Sequence, residues 1–167
     1  IRNKPDAKDL QLTDGVLRFE DVGFAFGDEF GDGNVLSGIS FSARPGHTIG
    51  IVGPPGSGKS TIAHLIPRYY DVTSGRITID GQDIRDLTIE SVRQAVGVVQ
   101  QDTFLFTASI ENNVAYGDPW AEDESIANAA SVAQIDTFIG SLPEGYATLV
   151  GERGDLVGAG NGVRARV

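Results

Sequence analysis

Gly53-Pro54-Pro55-Gly56-Ser57-Gly58-Lys59-Ser60-Thr61 is the stretch on which the rest of the chain turns. Residues 53–60 fit the spacing G-x-x-x-x-G-K-[ST], in which glycines let successive backbone N–H groups converge on phosphate oxygens. The apolar run Thr48-Ile49-Gly50-Ile51-Val52 before it predicts a strand, and Ile62-Ala63-His64-Leu65-Ile66 after it predicts a helix. Strand, glycine loop and helix together form an anion cradle, because the new helix adds its positive end to the loop amides. In such a cradle Lys59 reaches the terminal phosphates of a nucleotide and the Ser60 hydroxyl ligates Mg²⁺. The competing reading is a glycine-rich surface turn, since the chain holds 22 glycines. The apolar segments on both sides favour the cradle.

Composition narrows the setting. A chain of 167 residues suits one domain with a sizeable core. Thirteen basic against 23 acidic side chains give a net charge of −10, so no nucleic-acid surface is expected. Phosphate binding survives that sign, because it works through local amides. With no cysteine there is neither a disulfide frame nor a thiolate metal site. No apolar run approaches the ~20 residues of a membrane span. The absence of methionine leads us to expect a piece of a longer polypeptide.

Taken in order, residues 1–15 are polar, contain Pro5 and read as a linker from an upstream domain. Val16–Val22 alternates as a half-buried strand does, Gly23-Phe24-Ala25-Phe26 extends it, and Val35–Ala43 reads as another. Arg76–Asp80 is a further strand, closed by the hairpin signal Asp80-Gly81. A small antiparallel sheet beside the cradle is therefore expected. The helix after the cradle should stop near Pro67, Leu87–Ala95 should be helical, and Val96-Gly97-Val98-Val99 reads as a short buried strand delivering Gln100-Gln101-Asp102. Beyond Ala108 the pattern is helical: 110–115, 121–133 and 135–139. Asp118-Pro119 suits a helix start, and Glu122, Asp123 and Glu124 suit a first helical turn. Paired carboxylates for acid–base chemistry are the sharper alternative for that acidic group.

From Leu12 to Gly154 these motifs, in this order, resemble the nucleotide-binding domain of an ATP-binding-cassette (ABC) transporter of the exporter type. The phosphate loop alone indicates only a P-loop NTPase. The resemblance rests also on the aromatic ahead of the loop, on Thr73–Ile77 with Ile79-Asp80-Gly81, on Val99–Phe106, and on Thr148–Gly154. It implies an α/β fold: a P-loop NTPase (ABC ATPase) core, an antiparallel β subdomain and an α-helical subdomain at about 106–154, with the C-terminal part missing. Residues 16–154 would form the partial domain and 155–167 a divergent tail.

The resemblance also implies roles. Residues 53–61 would hold ATP, with Ser60 and Gln101 serving Mg²⁺. Gln101 matches the Q-loop glutamine, with Gln100 as its competitor. Phe26 stands where the family stacks an aromatic, usually Tyr, on adenine; the competing reading is a core Phe whose neighbour Phe24 points the other way. Glu152 and Arg153 match a loop that contacts the membrane domain, and His47 and His64 carry no metal-ligand company. Partners implied are a second nucleotide-binding domain, head-to-tail, and a transmembrane domain, at the cytoplasmic face of a membrane. No catalytic residue is assigned. After Gly154 the family continues into a signature, a Walker B Asp, a catalytic Glu and a switch His, whereas this sequence reads Asp155-Leu156-Val157-Gly158-Ala159-Gly160-Asn161-Gly162-Val163 and ends at Val167. The chain is thus expected to bind Mg-ATP without useful hydrolysis. Non-catalytic nucleotide-binding modules and soluble ABC ATPases are the alternatives.

Overall fold

The computed structural model describes residues 1–27, 33–99, 104–151 and the backbone of 156–157. Two compact units divide the chain, Ile1–Val99 and Gln100–Val167.

The first unit is built on an antiparallel sheet. Strands β1 (Leu17–Ala25), β2 (Asn34–Ala43), β3 (Ser74–Ile79) and β4 (Gln82–Asp83) lie in the order β2-β1-β3-β4. A register shift between Phe19 and Val22, where Asp21 has φ 50°, breaks the alternation of β1 and lets Phe19, Val22 and Phe24 all enter the core with Leu36, Ile77 and Ile79. Each such side chain contributes roughly 1.5–3 kcal/mol on leaving water. Phe19 pairs across the ladder with Phe41, their rings stacked at 4.4 Å. Asp80 and Gly81, with φ of 49° and 78°, make the β3–β4 turn, so the expected hairpin forms. Helices α1 (Lys59–Leu65) and α2 (Ile89–Ala95) add Ile62, Leu65 and Val92 to the same core. Thr88 caps α2 by accepting from the Ser91 amide.

Two segments differ from expectation. Neither 48–52 nor 96–99 forms a strand, and Val52 and Val99 are 93% and 97% exposed. A strand exists only through hydrogen bonds to a partner, and among the described residues none pairs with either run. Residues 1–15 are tied down along the unit. Lys8 forms a parallel bridge with Leu87, and Asn3 bonds Glu90. The amides of Thr13, Asp14, Gly15 and Val16 all donate to the Asp80 carboxylate, at 2.7–3.2 Å.

The second unit holds β5 (Ala108–Ser109), β6 (Leu149–Val150) and β7 (Leu156–Val157), in the antiparallel order β5-β6-β7. It also holds α3 (Ile110–Val114), α4 (Asp123–Val132) and α5 (Asp136–Ser141). Ser109 caps α3 through the Asn112 amide. The α4 helix begins at Asp123, not at Asp118-Pro119. There the Asp118 carbonyl and carboxylate take the Ala121 and Trp120 amides in a turn instead. Asp123 and Glu124 occupy the first turn of α4 in solvent, as a helix dipole favours, while Ile126 and Ala130, one turn apart, face inward.

Candidate phosphate-binding site

The glycine loop is shaped by backbone conformations that only glycine adopts freely. Gly56 and Gly58 have φ of 79° and 85°, and Gly58 is the N-cap of α1. A Cβ on Gly58 would lie 2.7 Å from Leu36 Cδ2 and 3.1 Å from the Val35 carbonyl. The loop therefore rests directly on β2. The turn is closed internally by the Ser57 amide donating to the Pro54 carbonyl at 3.3 Å.

Lys59 opens α1, and its chain folds back across the loop. The ammonium donates to the carbonyls of Gly53 (2.9 Å) and Pro54 (2.8 Å) and lies 3.4 Å from Ser57 Oγ. One positive charge thus sits over the turn, beside the first-turn amides of α1, which have no acceptor within their own helix. Such a group suits a polyphosphate: oxygens can take the three ammonium donors and the amides together. Ser60 is exposed on the first turn, as a magnesium ligand must be, whereas Thr61 is buried against the core. Of the residues expected to hold ATP, the contiguous set 53–61 is thus assembled at one place, with the Thr61 side chain turned inward. Gln100 and Gln101 lie outside the described residues, as do Glu152 and Arg153. Among the described residues no cluster of three His, Cys, Asp or Glu side chains could hold a metal.

Phe26 is half-buried just past the end of β1 and packs on the core edge. Its ring meets Phe24 edge-on at 4.9 Å and 84°. Phe24 therefore does not point the other way: residues two apart on an extended chain share a face. Phe24 pairs with Leu36 in the ladder, and Leu36 touches Gly58, so the aromatic and the loop are fixed to one end of the sheet. Tyr70, which no sequence motif singles out, meets Phe26 at 5.4 Å and 89° and Phe24 at 5.5 Å. His64 is half-buried, its ring 5.8 Å from that of Tyr69.

Two further side chains hold this frame. Arg68, only 2% exposed, follows α1 and forks onto the Asp71 carboxylate, with Nε 2.7 Å from Oδ1. Its remaining donors reach the carbonyls of Ile84, Leu87 and Arg2. Asp80 has its pKa held far below the ordinary carboxylate range, chiefly by the Thr13 amide, then those of Gly15 and Val16.

Comparison with known proteins agrees with this geometry. The chain matches the ABC transporter family over residues 36–154. It is 49% identical over its whole length to the mitochondrial iron-sulfur clusters transporter atm1 of Aspergillus fumigatus, of which it covers 23%. A multidrug efflux ATP-binding/permease protein of Mycobacterium tuberculosis is 46% identical over 94% of the chain, which spans 13% of that protein. The structure of a bacterial Atm1-family ABC exporter with ATP bound superposes with a TM-score of 0.85 at 44% identity, covering 92% of this chain and 26% of that one. The chain thus spans between 13% and 26% of the length of these proteins. With its phosphate loop, the β sheet beneath it and a family match across both units, this chain belongs to the ABC transporter family.

Proposed function

We propose that this chain is the ATP-binding part of a membrane exporter. The loop amides and Lys59 hold the phosphates, Ser60 and Gln101 serve the magnesium ion, and Phe26 stacks on adenine. Magnesium, when bound, neutralises charge between the terminal phosphates. One observation carries the reading: the Lys59 ammonium lies across a glycine turn at the mouth of α1, within 2.9 Å of two loop carbonyls it can exchange for phosphate oxygens. The relatives named for exporters and efflux support the transport setting. We assign the chain a second nucleotide-binding domain, head-to-tail, and a transmembrane domain as partners, at the cytoplasmic face of a membrane, and no nucleic acid. Relatives named for iron-sulfur clusters and for multidrug efflux match almost equally well. Similarity in this domain therefore follows the engine and not the cargo.

Titrating the purified chain with Mg-ATP tests the binding reading: saturable uptake is expected, and absence of uptake by folded protein would overturn it. The exporter setting is tested by the flanking coding sequence, where apolar spans of ~20 residues are expected.

A further inference from the structure

Among the described residues, the ring of Phe26 is met by Phe24 and by Tyr70. Phe24, 3% exposed, meets it edge-on from the core, and Tyr70 meets it at 89°. Tyr70 comes from a different part of the chain, just after α1, where the Tyr69 amide donates to the His64 carbonyl and Arg68 is locked by its fork onto Asp71. The Thr73 amide donates to the Gly23 carbonyl at 2.9 Å, pinning the same turn to β1. The Tyr70 backbone is therefore fixed at both ends, and its ring is set against the end of β1. A stacking platform binds a base more tightly when its plane is already fixed, since ordering a free ring costs about 0.5–1.5 kcal/mol. Perpendicular ring pairs supply that order through quadrupole contacts.

We propose that Tyr70 is a positioning residue for adenine: it does not touch the base but sets the plane of Phe26 on which the base stacks. This rests on the adenine role of Phe26. Tyr70 lies five residues past the end of α1, the helix that begins at Lys59, so this helix joins the phosphate cradle to the segment that supports the base platform. Only the ring of Tyr70 is needed, not its hydroxyl.

The test compares ATP with inorganic tripolyphosphate, which has no base, on the full chain by calorimetry. Tyr70→Leu keeps an apolar side chain in place and is expected to bind ATP about fivefold more weakly, with tripolyphosphate affinity unchanged. Tyr70→Phe is expected to match wild type. In a Phe26→Ala background, Tyr70→Leu should cause no further loss of ATP affinity. Equal weakening of ATP and tripolyphosphate by Tyr70→Leu would reduce Tyr70 to a structural part and overturn the proposal. Wild-type ATP affinity in Tyr70→Leu, with weakened binding in Phe26→Ala, would overturn it while leaving the role of Phe26 intact. Wild-type affinity in Phe26→Ala would instead remove the adenine reading on which the proposal stands.

Discussion

Gly58 lies so close to Leu36 that a single added methyl would sit 2.7 Å from the leucine Cδ2. The same glycine has φ 85° and starts α1, so strand packing and phosphate-loop shape meet at one Cα. Gly58→Ala is expected to cost about 1–2 kcal/mol for the left-handed conformation alone, with the clash adding to it. Thermal denaturation should show a clear fall in Tm, and ATP affinity should fall with it. Gly117→Ala, where a Cβ meets nothing within 4 Å, should change stability by no more than about 0.5 kcal/mol.

Arg68 combines near-complete burial with five hydrogen bonds to Asp71 and three carbonyls. Arg68→Ala leaves those carbonyls unpaired and opens a void, so a loss of about 3–5 kcal/mol is expected. Arg68→Lys keeps the charge but not the planar fork, and should recover only part of it. Urea denaturation midpoints check both.

Asp80 sets an acid limit on the N-terminal segment. Its folded pKa is depressed by the amides of residues 13–16, so its contribution is fully present above the unfolded value of about 3.9 and is lost as pH falls below that. Wild-type Tm should therefore drop as pH is lowered from 5 towards 2. Asp80→Asn removes the titrating group, so the variant should be less stable than wild type at pH 7 and should show a shallower decline with acid. Hydrogen exchange at residues 13–16 should quicken in the variant. An unchanged acid slope would remove the latch role of Asp80.

Val52 and Val99 are almost fully exposed on apolar segments that lack a strand partner among the described residues. Unpaired apolar edges recruit other chains. The purified chain is expected to self-associate with rising concentration, and Val52→Lys with Val99→Lys should suppress this in sedimentation velocity runs.

These cases also mark what the sequence carries. The phosphate loop was legible because its chemistry is local: glycine spacing, one lysine and one hydroxyl within a short run. The antiparallel sheet followed from alternation in 16–26 and the Asp80-Gly81 turn. Strands at 48–52 and 96–99 did not follow, because apolar runs record a need for burial while a strand also requires a neighbour. Asp80 was readable as a turn residue, but its four amides lie 64–67 positions upstream, and polar backbone contacts leave no hydrophobic period. For the same reason residues 1–15 read as a linker while being hydrogen-bonded to the first unit. Tyr70 escaped notice because no local pattern joins it to Phe26. Gln101 lies outside the described residues, so its role rests on family resemblance.

The phosphate-loop reading is tested most directly by ATP affinity in wild type and in Lys59→Ala, measured by calorimetry under conditions where both are folded. Saturable binding by wild type is expected, weakened about 10–100-fold in Lys59→Ala, as loss of a charged hydrogen-bond donor implies. Equal affinity in the two proteins, or no uptake by folded wild type, would contradict it.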